Sequence, residues 1–293
     1  MTDAKLGAPK LVDSKLPAAK TANYHASLRA QAMSADSVGP LGRVTGSALL
    51  RRVARLTSRR SAWDRRSPAG LEKVTAAVLA AVVTEPGDQV LDIGCGTGPL
   101  SLALADRGAR VLAIDASETM IANLERQAEQ RALIGFECLV SPVERLSLPA
   151  ESVDVIVTSY ALHYLRDADK GRLVAAAYHW LKPGGTLIVA DMMFGRGVTS
   201  HDRAIIKTKV GSLAKKGAGG WWRIAKNGYR YLVRAQERPI SISAWATIFA
   251  RAGFKGITAS SIVNEAGLVT GRRPAPASPA TTHTVPRQAG ARD

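Results

Sequence analysis

Between Leu71 and Asp191 the chain alternates short apolar segments with segments of helical periodicity, and this rhythm limits its possible folds most strongly. The segments predicted as strands are Gln89–Ile93, Arg110–Ile114, Phe136–Val140, Val153–Ser159 and Thr186–Asp191. The segments predicted as helices are Leu71–Val83, Pro99–Arg107, 117–132 and Asp167–Leu181. Strands that alternate with helices indicate βαβ units and a parallel sheet. Apolar runs such as Val153–Val157 suit strands that are covered on both faces.

The regions outside these alternating strands and helices predict the domain organisation. Residues 1–66 read as a flexible basic arm with a short helix from Thr45 to about Arg60. The domain itself is predicted to span 67–272, with a basic, glycine-rich insertion over 195–240, and residues 273–293 read as a disordered tail. The last elements of the domain are predicted as a helix over Ser241–Ala252 and strands over 257–263 and 266–271.

Composition excludes several classes of protein. Hydrophobic residues make up 46% of the 293 residues, which is enough for a sizeable core. No uncharged apolar run approaches the roughly 18 residues that a membrane span needs, and from their composition we expect that the first residues are not a secretory signal. Cys95 and Cys138 are too few for a disulfide scaffold or a multi-cysteine zinc site, so we expect a cytoplasmic protein without a metal.

The net charge of +16 is distributed unevenly. It is +9 over residues 1–70, −6 over 71–194 and +13 over 195–293. A folded core that binds a polyanion would concentrate positive charge in the centre instead. The distribution therefore favours a small-molecule ligand over nucleic acid for the central domain.

A glycine-rich turn follows the first strand, in the pattern Asp92-x-Gly94-x-Gly96-x-Gly98. Glycine lets the backbone turn sharply and lets a ligand approach closely. A dinucleotide fingerprint would need glycine at position 99, where this chain has Pro99, and a phosphate-binding P-loop would need a following Gly-Lys-Ser/Thr. The second strand ends in Asp115, and an acid at that point can accept hydrogen bonds from both hydroxyls of an adenosine ribose.

These motifs together resemble the class I S-adenosylmethionine-dependent methyltransferases, in particular their broad small-molecule group. The resemblance rests on Val90–Gly98, Asp115, Val153–Leu165 and Leu181–Leu187. It implies a Rossmann-like, doubly wound α/β fold whose mostly parallel seven-stranded sheet ends in an antiparallel strand. It also implies S-adenosyl-L-methionine as the cofactor and methyl transfer as the reaction.

The resemblance assigns roles to the loop after the first strand. Gly94, Gly96 and Gly98 would let the loop approach the methionine part of the cofactor, with Cys95 beside it as a small residue in a tight turn. Asp92 would order the loop and bind the amino group. The alternative for Asp92 is a purely structural carboxylate that accepts from loop N–H groups, and both roles can coexist.

The resemblance also assigns the nucleoside end of the cofactor, with one departure. Asp115 would bind the ribose and Ala116 would lie against the adenine. The family usually has an acid after the third strand that meets the adenine amino group, whereas here the segment is Ser141-Pro142-Val143-Glu144 and Pro142 takes the place of that acid. Adenine would then depend on the backbone of Val143 and on apolar packing, or on Ser141.

The acceptor half of the site is less visible in the sequence, because methyl transfer needs positioning rather than a metal or a covalent nucleophile. His163 is the candidate general base because histidine titrates near neutral pH, although it could instead hydrogen-bond a neighbouring loop. Tyr160 is expected to form a wall of the cofactor pocket. Trp63 could close the site or anchor the arm, and Trp221–Arg234 could form an acceptor-covering lid or a helix packed on the core.

The predicted function is methyl transfer from S-adenosyl-L-methionine to a small organic acceptor. An RNA methyltransferase that uses the basic flanks is one alternative, although Ser159–Leu162 does not match the Asn/Asp-Pro-Pro-Tyr/Phe amino-methylating motif. A non-catalytic cofactor-binding protein is the other. The basic side chains of Trp221–Arg234 could also contact a membrane surface weakly.

Overall fold

The computed structural model describes residues 68–194, 238–263 and 265–276, together with the single residues Arg203 and Lys207. The predictions for the arm, for Trp63 and for Trp221–Arg234 lie outside the described residues. The helices are α1 (Pro68–Ala81), α2 (Pro99–Ala105), α3 (Glu118–Gln130), α4 (Asp167–Trp180) and α5 (Ile242–Ala252). The strands are β1 (Gln89–Ile93), β2 (Arg110–Asp115), β3 (Phe136–Val140), β4 (Val153–Ser159), β5 (Leu181–Met192), β6 (Lys255–Val263) and β7 (Ala266–Arg272). Two short 3₁₀ turns occur at Val143–Arg145 and Leu162–Tyr164.

The seven strands form one sheet in the order β3-β2-β1-β4-β5-β7-β6. The pairs from β3 to β5 are parallel, and β7 runs antiparallel to both of its neighbours, β5 and β6. The predicted α/β fold, with a mostly parallel sheet and an antiparallel last strand, is confirmed. Since β1 lies between β2 and β4, the loops after these three strands meet at one edge of the sheet.

Helices cover both faces of the sheet. On one face, α4 and α5 contribute Trp245, Phe249 and Leu173 to a core that includes Ile156 of β4. On the other face, Val78 of α1 packs in a second core with residues of α2 and α3. The central strands are buried on both sides, which explains why they appear in the sequence as continuous apolar runs rather than as alternating patterns.

The fifth strand begins earlier than the sequence indicates. The Lys182-Pro183-Gly184-Gly185 segment reads locally as a turn, but β5 already starts at Leu181, which pairs with Val153 before a register shift. The Gly184 N–H donates to the Arg273 carbonyl at 2.9 Å, and the Arg273 N–H donates to the Gly185 carbonyl at 2.8 Å. These pairings between distant residues keep the segment within β5, although Gly184 has a left-handed φ of 85° and the register with β4 shifts there.

Arg273, which the sequence assigns to the start of the tail, fastens the chain to the end of α4. Its Nη1 donates to the carbonyls of Tyr178, His179 and Leu181, and its Nη2 lies 2.6 Å from Glu151 Oε1. The guanidinium also lies 5.2 Å from the centre of the Tyr178 ring. A cation at a helix C-terminus neutralises the carbonyls that have no partner within the helix.

We expect Arg273→Ala to lower the free energy of unfolding by about 1–3 kcal/mol, the range for hydrogen bonds to a charged group. Denaturant unfolding would measure the loss. Arg126→Ala is the matched control, because Arg126 is exposed on α3 and its change should stay within about 0.5 kcal/mol. Equal stability of both variants would show that the Arg273 contacts do not stabilise the fold.

None of the helices in the described part of the chain is both long enough and apolar enough to cross a membrane.

Candidate functional site

A cavity of about 220 Å³ opens at the carboxyl ends of β1, β2, β3 and β4. Its lining is predominantly apolar, and the charged residues among the described lining are three acids, Asp92, Asp115 and Glu144. Leu71 and Thr75 of α1 close one side. Ligands of open parallel sheets bind in this position, beyond the ends of the strands.

The glycine loop is held against β2 by its backbone. The N–H groups of Gly94 and Cys95 both donate to the Ile114 carbonyl, at 2.7 and 3.0 Å. Gly94, Gly96 and Gly98 have φ values of 73°, 56° and 83°, a region that residues with a Cβ atom rarely adopt.

The three glycines serve different purposes. A Cβ atom on Gly94 would collide with Ala161, and one on Gly98 would collide with the Leu124 side chain. Gly98 does not line the cavity, so its glycine is required by packing rather than by ligand approach. A Cβ atom on Gly96 would meet no atom of the described residues within 4 Å, and Gly96 lines the cavity, so it is the glycine that leaves room for a ligand.

Asp92 is a buried carboxylate at the end of β1, with 1% of its surface exposed. Its Oδ2 accepts a hydrogen bond from Ser101 Oγ at 2.5 Å, and Oδ1 has no partner among the described residues. Burial raises the pKa of Asp92 to about 7, with the Asp115 carboxylate adding to the effect. An unpaired acceptor of this kind fits a ligand donor, and Ser101 is a contact that the sequence did not reveal.

Asp115 connects the second strand to the loop of the first. Its Oδ2 accepts from the Gly96 N–H at 3.0 Å, and its Oδ1 accepts from the Ser117 N–H at 2.8 Å. These contacts orient the carboxylate toward the loop that follows β1. Ala116 follows directly and lines the cavity with Met120 of α3.

The segment after β3 contributes Ser141, Pro142, Val143 and Glu144 to the lining. The Ser141 hydroxyl already donates to the Pro142 carbonyl at 3.2 Å, and the Ser141 N–H donates to the Asp115 carbonyl. The Glu144 side chain is buried, and burial raises its pKa. Its Oε2 has no partner among the described residues, a feature that the sequence did not identify.

Cys95 lines the cavity but is not set up as a nucleophile. It is 7% exposed, and its Sγ lies 3.9 Å from the Gly96 carbonyl oxygen. Burial raises the pKa of the Cys95 thiol well above its usual range, and the carboxylates of Asp92 and Asp115 add to this. The group therefore stays a neutral thiol, and Cys95 suits the tight loop because its side chain is small.

Tyr160 lines the cavity at the end of β4 in a left-handed conformation, with φ of 51°. Its N–H donates to the Ala190 carbonyl of β5 at 2.9 Å, which fixes the turn. Burial raises the pKa of Tyr160 to about 12, with Glu265 and Asp191 contributing, so the phenol stays protonated near neutral pH. Strained backbone of this kind is found most often at functional sites.

His163 lies beside the cavity without lining it. Its side chain is 2% exposed, its Nδ1 pairs with Asp191 Oδ1 at 2.6 Å, and its N–H donates to Asp191 Oδ2 at 2.8 Å. The His163 carbonyl accepts from the Arg238 N–H at 2.6 Å, while Leu162 and Tyr164 on either side do line the cavity. The structure therefore ties the ring to β5 and directs its neighbours to the site.

The structure brings most of the predicted site residues to one place. The predicted residues that line the cavity are Asp92, Gly94, Cys95, Gly96, Asp115, Ala116, Val143 and Tyr160. The predicted residues Gly98 and His163 do not line the cavity.

Sequence comparison relates the centre of the chain to methyltransferases. The family described as Methyltransferase domain matches residues 90–185. An uncharacterized methyltransferase of Geobacillus kaustophilus is 34% identical over 117 residues, which is 40% of this chain and 53% of that protein. The ubiquinone biosynthesis O-methyltransferase of Coxiella burnetii is 34% identical over 131 residues, or 44% of this chain and 52% of that protein. The chain thus spans about half the length of these curated relatives.

Solved structures share the fold at lower identity. An S-adenosylmethionine-dependent methyltransferase from Aquifex aeolicus has a TM-score of 0.51 at 18% identity, over 74% of this chain and 97% of that one. Phosphoethanolamine N-methyltransferase 2 of Haemonchus contortus, in complex with phosphomonomethylethanolamine and S-adenosylhomocysteine, has a TM-score of 0.54 at 15% identity. That match covers 68% of this chain and 52% of the Haemonchus chain.

Proposed function

We propose that this chain, which belongs to the class I S-adenosylmethionine-dependent methyltransferases, transfers the methyl group of its cofactor to a small organic acceptor. The observation that carries the proposal is the cavity at the ends of the parallel strands, which is lined by the acids Asp92, Asp115 and Glu144. S-adenosylmethionine carries hydrogen-bond donors at both of its ends, which suits such a set of acceptors.

The residues fit the parts of the cofactor in chain order. Asp92 lines the cavity, its Oδ1 has no partner among the described residues, and it would accept from the methionine ammonium. Asp115, fixed by the loop N–H groups, would accept from the ribose hydroxyls. Ala116 and Val143 would hold the adenine between them.

The bound cofactor would supply an activated methyl group on a sulfonium, so the chain needs chiefly to align the acceptor and exclude water. Tyr160 is held at the cavity by the Ala190 carbonyl and presents a neutral phenol. Tyr164 and Leu162 are held there by the pairing of His163 with Asp191. We therefore assign Tyr160 to the wall of the reaction site and His163 to positioning.

The charge of the central segment supports a small acceptor over RNA. Residues 71–194 carry a net charge of −6, which would repel a phosphate backbone. The similarity to the Coxiella O-methyltransferase makes hydroxyl-bearing acceptors the first to be screened. Cys95 and Cys138 are thiols rather than a disulfide, which supports placing the reaction in the reducing cytoplasm.

The experiment is a methyl-transfer screen with radiolabelled S-adenosylmethionine and the purified protein. Host metabolite extract and total RNA would be offered separately, after calorimetry has measured cofactor binding. Label in the metabolite fraction is expected. Label in RNA alone would overturn the small-molecule acceptor, and cofactor binding without transfer to either fraction would favour a non-catalytic protein.

The pKa of Asp92 predicts a pH dependence of cofactor binding. An ammonium beside Oδ1 favours the ionised carboxylate, so binding lowers this pKa and releases a proton. The affinity for S-adenosylhomocysteine should therefore rise as the pH increases from 6, by up to about tenfold per pH unit, and level off above about 7.

Calorimetry of the Asp92→Asn variant tests the origin of that dependence. The variant should bind more weakly and lose most of the slope below pH 7. Asp106→Asn is the control, because Asp106 is a half-exposed carboxylate paired with Arg131 away from the cavity, and it should keep the wild-type profile. An unchanged slope in Asp92→Asn would contradict the ammonium contact.

A further inference from the structure

Lys170 is a fully buried cation to which the proposed reaction gives no role. It lies in the first turn of α4, and 0% of its side chain is exposed. Its Nζ donates to the carbonyls of Leu165 and Arg238, each at 2.7 Å, and lies 3.4 Å from Asp167 Oδ1. An ammonium has three N–H donors, so these three acceptors can satisfy it and offset the cost of burying the charge.

Helix stability does not explain a lysine at this position. Cations are favoured at the C-terminus of a helix and disfavoured in its first turn, where unpaired N–H groups leave partial positive charge. The pair with Asp167 spans three positions on α4, and the Asp167 side chain is 45% exposed, so this pair contributes little. What Lys170 adds is a connection between two carbonyls of different chain segments.

The two segments meet at the cavity. Leu165 lines the cavity directly after the 3₁₀ turn of Leu162–Tyr164. Arg238 lies against the same turn, because its N–H donates to the His163 carbonyl at 2.6 Å. Arg238 is thus bound at its N–H by the turn and at its carbonyl by Lys170. The ammonium therefore fastens the cavity turn to the segment that leads into α5.

The order of the strands identifies the part of the reaction that this turn would serve. Strand β4 lies next to β1, on the side away from β2. A cofactor with its ribose at Asp115 of β2 and its ammonium at Asp92 of β1 would direct its methionine end toward β4. The turn after β4 would then form the wall beside which the acceptor approaches, while β1 and β2 hold the cofactor.

We propose that Lys170 is a positioning residue for methyl transfer, which joins the carbonyls of Leu165 and Arg238 and so holds Tyr164 and Leu165 in the wall that aligns the acceptor. The inference rests on the proposed function. Lys170 does not line the cavity, so it acts through the turn and not on the reacting atoms. Its loss should lower the rate of methyl transfer and leave the affinity for the cofactor unchanged.

The test is Lys170→Met, because methionine is an unbranched side chain that can fill the same space but has no N–H donor. Calorimetry with S-adenosylhomocysteine should give the wild-type affinity. Transfer of label from S-adenosylmethionine to the metabolite fraction should fall by about 10–100-fold, the scale for a displacement of about 1 Å. Lys182→Met is the matched control, since Lys182 pairs with Asp154 at 2.7 Å and does not line the cavity. This control loses an ion pair as well, but its transfer rate should match the wild type.

The outcomes separate this proposal from the proposed function. Wild-type transfer by a folded Lys170→Met variant would overturn the positioning role while the methyltransferase function stands. Equal losses of cofactor affinity and transfer rate would also overturn it, because the effect would then not be specific to the acceptor wall. If the wild type itself transfers no label to the metabolite fraction, both proposals fall together.

Lys170→Gln is the second variant if Lys170→Met does not fold. Its amide can donate to one of the two carbonyls, so transfer should fall by about twofold to tenfold, the range for one neutral hydrogen bond, with cofactor affinity kept. A wild-type transfer rate in this variant would show that the connection between Leu165 and Arg238 does not align the acceptor.

Discussion

Gly96→Val is expected to weaken the binding of S-adenosylmethionine by about a hundredfold or more. The valine side chain would occupy the open space over the loop where the cofactor is proposed to lie. It would also force a β-branched residue into a backbone with φ of 56°, which costs about 1–3 kcal/mol. Calorimetry with the cofactor would measure the loss of affinity.

A matched glycine separates these effects from a general intolerance of valine. Within the part of the chain that the structure describes, Gly171 of α4 also has no atom within 4 Å of an added Cβ, but it has ordinary helical geometry and does not line the cavity. Gly171→Val should bind the cofactor like the wild type. Wild-type affinity in a folded Gly96→Val variant would show that the cofactor does not approach this face of the loop.

The part of the site that could be predicted from the sequence is the part built from adjacent elements. Gly96 and Asp115 are separated by one helix, and the parallel pairing of β1 with β2 places the ends of both strands together. A strand, a glycine turn, a helix and an acid at the next strand end are therefore enough to predict this half of the cavity. The three glycines look equivalent in the sequence, and only packing against Ala161 and Leu124 distinguishes them.

The features that the sequence missed depend on contacts between distant residues. The Lys182–Gly185 segment has the composition of a turn, and it belongs to β5 because Leu181 pairs with Val153 and because its glycines exchange backbone hydrogen bonds with Arg273. The unpaired oxygen of Glu144 results from the burial of its 3₁₀ turn, which local sequence does not encode. Propensity describes a segment alone, and tertiary pairing overrides it in such places.

The orientation of the His163 side chain also depends on a distant residue and could not be predicted from local sequence. Its neighbours Leu162 and Tyr164 line the cavity, and a 3₁₀ turn of three residues has no periodicity from which to predict which side chain faces inward. The residue that decides its orientation is Asp191, which lies 28 positions away on β5. The structure thus gives His163 a contact that its position in the chain does not reveal, while its role as a base stays a prediction.

His163→Ala is expected to lower the free energy of unfolding by about 3 kcal/mol, because it leaves the Asp191 carboxylate buried without its side-chain partner. Denaturant unfolding would measure this loss. His179→Ala is the control, because His179 is exposed on α4 and its substitution should cost less than about 0.5 kcal/mol. The displaced loop would also reduce turnover. This variant alone does not separate positioning from proton transfer, since both roles predict a slower enzyme.

His163→Asn separates the two roles. The asparagine amide can place an N–H near the position of Nδ1 and donate to Asp191, but it has no basic nitrogen in place of Nε2. If His163 positions the loop, His163→Asn should recover at least half of the stability lost in His163→Ala and turn over within about tenfold of the wild type. A general base contributes about 10²–10⁴-fold, so under that role both variants would stay that far below the wild type however stable they are. Because the His163 side chain is 2% exposed and does not line the cavity, we expect the first result.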